Sequence, residues 1–451
     1  MLRRKIYPRL LEWKKSFRKK ALLIAGARQV GKSTIAREFG KNEYETVLEI
    51  NFIEHPEFIK DFSDRDPEKI LFSLSARLNQ AITPYTTLLI LDEVQECPDA
   101  RTAVKFLVEN GTVDVLETGS LLGVNIHQIA SLPVGYEELL PMFPMDFEEF
   151  CWAVQTREET LTYLRECYKK TEPVNAALHE RMLELFYRYV VIGGMPEVVN
   201  AFVKTQNISE VHAIQKRIMD LYHLDIMKYA QDSERIRISN IFTSIPGQLD
   251  AKNKRFFLSK VRKTARMERY ENSFLWLKEA GVSLASFNVK EVKVPLVLNE
   301  SRNLFRLFLC DCGLLSSCFA SEFQYELLKG NLSVNFGAVI ENLFAQEIVS
   351  KEIPLFYYDN KQLELDFIIE QGSRIQVLEI KSGANYKSHP SLNRALSSPE
   401  FQIDQALVFC KSNVFEENGI AYLPLYMISF LDTQKEEALI LKDDINRLFG
   451  L

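Results

Sequence analysis

Long apolar runs are missing from this 451-residue chain. Runs such as Ala21 to Ala27 and Leu88 to Leu91 fall far short of the roughly 18 residues a membrane span needs, so no membrane partner is expected. A paired cysteine framework is missing too. The seven cysteines (Cys97, Cys151, Cys167, Cys310, Cys312, Cys318 and Cys410) are odd in number and scattered, without a C-x-x-C knuckle. Neither a disulfide scaffold nor a cysteine zinc site follows from them. His55, His127, His179, His212, His223 and His389 show no ligand spacing, so no zinc site is expected from histidine either. No apolar stretch of the secretory type follows the basic opening MLRRKIYPRLLEWKKSFRKK. Repeats and low-complexity segments are lacking. These absences predict a protein of the reducing cytoplasm.

What is present is ordinary globular material, 47% apolar and 26% charged. Its length suggests about three domains. The net charge of −6 hides a basic stretch, residues 252–269, with Lys252, Lys254, Arg255, Lys260, Arg262, Lys263, Arg266 and Arg269 against Glu268 alone. It reads equally as a solvated helix face or as a contact for a polyanion such as DNA. Phe256, Phe257 and Phe274 nearby read as core, not as stacking platforms. Cys310 and Cys312, two apart, are expected on one face of a strand as small buried hydrophobes.

In residues 1–150, β-like runs at Lys20 to Ala25, Thr46 to Asn51, Leu88 to Asp92 and Val113 to Glu117 alternate with helical or loop segments, which argues for a parallel α/β sheet. Residues 151–235 read as a helical lid, interrupted at Gly193-Gly194-Met195-Pro196. Residues 236–318 read as helices followed by two strands, Val282 to Val289 and Leu304 to Cys310, the outline of a winged helix. Residues 319–451 open with a helix at Phe336 to Lys351. Strands follow at Leu355 to Tyr358, Leu363 to Ile369, Ile375 to Ile380 and Ala406 to Phe409.

Gly26-Ala27-Arg28-Gln29-Val30-Gly31-Lys32-Ser33 matches G-x-x-x-x-G-K-[ST] in full. An apolar strand precedes it and a helix opening, from Thr34, follows it, which is the context a phosphate loop requires. Its N–H groups turn inward around phosphates, and the helix N-terminus adds positive potential. Lys32 is expected on the β- and γ-phosphates of ATP and Ser33 on Mg²⁺. Leu88-Leu89-Ile90-Leu91 then ends in Asp92 and Glu93. Two acids closing a buried strand are costly without a cation. Asp92 is therefore expected to hold Mg²⁺ and Glu93 to act as general base on water. Thr118-Gly119-Ser120 closes a third strand, where a hydroxyl can sense the γ-phosphate, with Ser120 ahead of Thr118.

The runs GARQVGKST, LLILDEVQECP, ETGS, LPMFPMDFEEF and IGGMP together resemble prokaryotic AAA-type ATPases whose C-terminal half is a DUF4143 domain. The resemblance implies an AAA-like P-loop NTPase module, a helical lid, a winged-helix-like segment and a nuclease-like C-terminal domain. Many members carry Gly-Arg before the P-x-x-F segment; this chain has Gly135-Tyr136. An arginine from that position is absent, and Arg188 is the substitute considered. Oligomerisation is left open.

A second constellation lies near the C-terminus. Asp366 and Glu379 fall on successive strands, and Glu379-x-Lys381 puts both side chains on one face. Glu341 lies on the preceding helix. The arrangement resembles the PD-(D/E)XK nuclease fold. Asp366 and Glu379 would bind Mg²⁺, Lys381 would position or deprotonate water, and Glu341 would complete the metal shell. A structural Glu379–Lys381 ion pair is the alternative, because a fold alone does not license an activity. The expectation is an ATPase coupled to a DNA-binding, DNA-cleaving domain, or else a nucleotide switch with an inactive nuclease-like module.

Overall fold

The computed structural model describes residues 2–16, 19–119, 135–251, 254–262, 267–319, 321–328, 337–360, 362–383 and 385–431. The N-terminal region runs α1 (Ile6–Lys15), β1 (Ala21–Ala25), α2 (Lys32–Glu43), β2 (Thr46–Asn51), α3 (Pro67–Leu78), β3 (Thr87–Asp92), α4 (Pro98–Asn110), β4 (Asp114–Gly119) and β5 (Glu137–Pro141). Its five strands pair in the order β2-β3-β4-β1-β5, all parallel. β1 and β3 are buried along their whole length, which explains why they read as continuous apolar runs. Alternate side chains feed two cores. Leu22, Ile24, Ile90 and Leu116 face one, while Leu23, Leu89, Leu91 and Val115 face the other. The parallel direction gathers the carboxyl ends of β1, β3 and β4 at one edge, where ligands of such sheets bind. β5 was not legible as a strand, because only one of its residues is fully buried.

The middle of the chain is helical, with α5 (Phe147–Ala153), α6 (Glu158–Lys170), α7 (Ala176–Ile192), α8 (Pro196–Thr205), α9 (Ile208–Tyr229) and α10 (Asp232–Leu249). Asp146 and Glu149 form a capping box at the start of α5. α7 stops at Ile192 and α8 starts at Pro196, so the Gly193-Gly194 interruption is real. It is also a packing node. A Cβ on Gly193 would lie 2.2 Å from the Asp311 carboxylate, and one on Gly194 only 1.9 Å from the Met145 carbonyl oxygen. The Gly194 N–H donates to Asp311 Oδ2 at 2.6 Å.

The remaining elements are α11 (Leu258–Val261), α12 (Glu271–Glu279), β6 (Ser283–Val289), β7 (Glu300–Leu309), α13 (Cys312–Ser317), α14 (Ser321–Leu328), α15 (Gly337–Val349), β8 (Phe356–Asp359), β9 (Glu364–Gln371), β10 (Arg374–Lys381), α16 (Pro390–Ser397), β11 (Gln405–Cys410), β12 (Phe415–Glu417) and β13 (Ile420–Pro424). They build one mixed sheet in the order β12-β13-β11-β10-β9-β8-β6-β7. This corrects the expectation of a winged-helix unit within residues 236–318. The β6–β7 hairpin does not stand apart as a wing, because β6 pairs in parallel with β8 at Phe287 and Asn288 and continues the C-terminal sheet. The second half of β7, Phe305 to Leu309, is buried, as are Ser283, Ser286, Asn288 and Val289 of β6. Cys310 and Cys312 are also corrected. They do not share a strand face but flank Asp311, the N-cap at which β7 gives way to α13; both are buried. Phe256 does belong to the core, stacked on Phe305 and edge-on to Phe274. Among the described residues, no helix is long and apolar enough to cross a membrane.

Candidate functional site

The phosphate loop joins β1 to α2 as its motif requires. Gly26 sits where a Cβ would lie 2.1 Å from the Met142 carbonyl oxygen, so only glycine fits between the ends of β1 and β5. Gly31 (φ +96°) turns the chain into α2 through the left-handed region. Lys32 donates from Nζ to the carbonyls of Gly26 at 3.0 Å and Ala27 at 2.9 Å. Burial pulls its ammonium down to about 8, against the opposing pull of Glu93 and Asp92.

Asp92, 1% exposed at the tip of β3, is the centre of the polar edge. The Ser33 hydroxyl donates to its Oδ1 at 2.7 Å and Asn51 Nδ2 to its Oδ2 at 2.9 Å. The Thr118 hydroxyl also donates to Oδ1, and Arg37 lies 3.6 Å from Oδ2. Glu93 follows in the left-handed region (φ +54°), its carboxylate accepting a hydrogen bond from Gln95. Ser120 lies outside the described residues. Of the two hydroxyls considered at the β4 tip, Thr118 is seen at Asp92.

A cavity of about 880 Å³ opens over this edge. Arg28, Gln29, Gly31, Lys32, Ser33, Thr34 and Glu93 line one side, and Pro196, Asn200 and Ile214 of α8 and α9 the other. α8 begins at Pro196, directly after the turn that ends α7. Arg188 is exposed on α7 and is not among the lining residues. Two other arginines line the cavity, Arg28 of the loop motif and Arg4, which spacing could not single out. Arg4 reaches from the N-terminal segment, donating to the Val30 carbonyl at 2.9 Å while its Nε holds Glu149 at 3.1 Å. Arg28, inside the loop, pairs with Asp225 of α9 and donates to the Tyr229 hydroxyl at 2.9 Å. Tyr222 donates to the Arg28 carbonyl at 3.0 Å. Asn51, a polar residue ending a half-buried strand, carried a signal that could have found it.

The C-terminal constellation assembles as the alternation predicted. The β9–β10 register runs to Phe367 opposite Leu378, one step short of Asp366 and Glu379. Ile380 N–H donates to Asp366 Oδ2 at 3.0 Å, and Lys381 Nζ lies 2.8 Å from Glu379 Oε1. α15 brings Glu341 to the same place. Burial, with Asp366 adding to it, pushes Glu379 up to about 8. Two cations that the strand pattern did not reveal complete the cluster. Lys254 pairs with Glu341. Arg306, buried on β7, pairs with Glu364 and lies with its guanidinium 4.3 Å over the Tyr357 ring. Glu341 Oε2 and Glu379 Oε2 are buried without a hydrogen-bond partner, so two hard oxygen donors are open to a divalent cation. Among the described residues, no three His, Cys, Asp or Glu side chains stand ready to hold a metal ion as they are. Of the basic stretch, Lys252, Lys263 and Arg266 fall outside the described residues.

α15 ties this cluster to the helices α5 and α7. Asn342 exchanges two hydrogen bonds with the Leu309 backbone, Gln346 accepts from Cys312 N–H and donates to the Tyr189 hydroxyl, and Glu347 accepts from Phe147 N–H at the start of α5.

The family described as AAA domain matches residues 18–151. Two domains of unknown function follow, DUF8612 at residues 183–324 and DUF4143 at residues 336–428. No curated protein matches the chain. Among solved structures, the Walker-type ATPase PABY2304 of Pyrococcus abyssi is similar at 15% identity, covering 70% of this chain and 95% of that one with a TM-score of 0.41. The Aeropyrum pernix ORC1 protein, solved in complex with DNA, is similar at 12% identity, covering 72% and 91% with a TM-score of 0.26. With the phosphate loop inside residues 18–151 and the Asp366–Glu379–Lys381 sheet inside residues 336–428, the chain joins a match to the AAA domain family to a C-terminal match to the DUF4143 family.

Proposed function

We propose that the chain is a Mg²⁺-dependent ATPase whose nucleotide state is carried to a DNA-directed C-terminal domain. The Ser33–Asp92 hydrogen bond beside Lys32 carries the first half of this reading. A hydroxyl and a carboxylate in contact form the hard-oxygen pair that suits Mg²⁺. When bound, the ion neutralises charge on the β- and γ-phosphate oxygens. Lys32 exchanges the carbonyls of Gly26 and Ala27 for phosphate oxygens, and the loop N–H groups face the anion. Glu93, oriented by Gln95, accepts the proton of the attacking water. In calorimetry, Lys32→Ala should lose ATP binding. Glu93→Gln should retain binding and slow turnover by about 10²–10⁴. Wild-type turnover in Glu93→Gln would remove Glu93 from that role.

In the C-terminal cluster, the open oxygens of Glu341 and Glu379 support a divalent cation, with Asp366 beside them and Lys381 placed to hold water. Plasmid cleavage with Mg²⁺ or Mn²⁺ and ATP should be lost in Asp366→Ala and Lys381→Ala, and cutting that survives both would reject this site. A second reading, a nucleotide switch with an inactive nuclease-like module that binds DNA or protein, is favoured by the ammonium groups already lodged among the carboxylates. It gains if wild type cuts under no condition.

A further inference from the structure

We propose that Lys254 is a displaceable plug whose ammonium occupies the divalent-cation position of the C-terminal cluster, so that a cation enters only as Lys254 withdraws. This deepens, and rests on, the reading of Glu341, Asp366 and Glu379 as cation ligands. Lys254 does not belong to the sheet or to α15. It lies in sequence between α10 and α11, outside any helix or strand, and contacts Glu341 Oε1. Glu341 is 4% exposed and Glu379 5%, and each keeps one oxygen with no hydrogen-bond partner. Leaving such an acceptor unmade is costly. Lys254 answers one oxygen of Glu341, Lys381 answers one of Glu379, and both carboxylates keep an open one. An ammonium directs its hydrogens to separate acceptors from a single charge, whereas a divalent ion can draw oxygens of several carboxylates to one point.

The contrast between the two lysines assigns their roles. Lys381 is held by its own strand, two residues from its partner. Lys254 is held to the cluster by its ion pair with Glu341, stands outside any helix or strand, and is followed two residues on by Phe256, whose N–H donates to the Phe305 carbonyl of β7 at 2.8 Å. Of the two, it is the one whose side chain can swing away from the carboxylates without moving a strand residue.

The test is Mn²⁺ binding to the nucleotide-free full-length protein, followed by electron paramagnetic resonance, with Mn²⁺ itself as the probe. Lys254→Met should bind Mn²⁺ about tenfold more tightly than wild type, or better, on the scale of a hydrogen bond to a charged group. Lys254→Arg should stay near wild type, and Lys254→Met combined with Glu379→Gln should lose the gain. In wild type, saturating Mn²⁺ should speed amide exchange in residues 254–262, a readout that needs no variant. Equal affinity in wild type and Lys254→Met would overturn the plug and leave the metal site standing. No binding by either would overturn the metal site, and the plug with it.

Discussion

Arg28 Nη1 lies 2.8 Å from Asp225 Oδ1, so a residue of the phosphate loop is ion-paired to the long helix α9. The pair is partly buried, and Tyr229, which shares Arg28, also donates to Glu96 at 2.9 Å. Asp225→Ala should cost about 1–3 kcal/mol by leaving the guanidinium without its carboxylate, seen as a lower urea midpoint. It should also uncouple α9 from the loop. ATP should then protect amides of the loop but no longer those of α9. Equal protection of α9 in both proteins would disprove the coupling.

Thr118 is buried with its hydroxyl on Asp92. Thr118→Val keeps the shape and removes the donor. Turnover of Mg²⁺-ATP should fall by about tenfold, the scale of one hydrogen bond to a charged group, with the far-ultraviolet circular dichroism spectrum unchanged. Wild-type turnover would show that Asp92 needs only Ser33 and Asn51.

Gly281, between α12 and β6, has φ +69°, and a Cβ there would lie 2.9 Å from the Ala27 amide nitrogen of the phosphate loop. Gly372 has φ +60° with open space around it. Both alanine variants should lose about 1 kcal/mol to backbone strain. Only Gly281→Ala should also weaken ATP binding, because its methyl presses on the loop. A matching loss of affinity in Gly372→Ala would contradict this account.

Burial, with Asp146 adding to it, raises the Glu347 carboxyl to about 7, while Lys351 and Lys5 oppose the shift. A carboxyl whose pKa is raised in the folded state binds its proton more tightly there than in the unfolded chain. Its contribution is most favourable below about 4.5 and is lost as pH rises to about 7. The loss reaches about 3 kcal/mol at most. Glu347→Gln keeps an acceptor for Phe147 N–H without that charge. Its stability relative to wild type should therefore rise between pH 4.5 and 7, measured by chemical denaturation across that range. A constant difference would place the proton elsewhere.

The two chemical sites were legible for different reasons. The phosphate loop declares itself because backbone geometry, an ammonium and a hydroxyl are needed at fixed spacing. Asp366, Glu379 and Lys381 show through because strand alternation fixes which side chains share a face. Arg4, Asp225, Lys254 and Arg306 could not be found that way. Each meets its partner across a long stretch of chain, and its own neighbourhood carries no periodic mark. The hairpin β6–β7 reads locally as a wing, since nothing within two strands tells which edge they will join.

By itself, the sequence determined where nucleotide chemistry can sit, which strands are buried on both faces, and which acids and lysine share the C-terminal sheet. These follow from local spacing and short-range backbone geometry. Only the tertiary structure decided that α9 holds the phosphate loop, that α15 spans from Glu341 to α5 and α7, and that an ammonium from a distant segment lodges against Glu341. Those choices come from close packing and from the cost of leaving buried charges unpaired, which are settled between segments far apart in the chain.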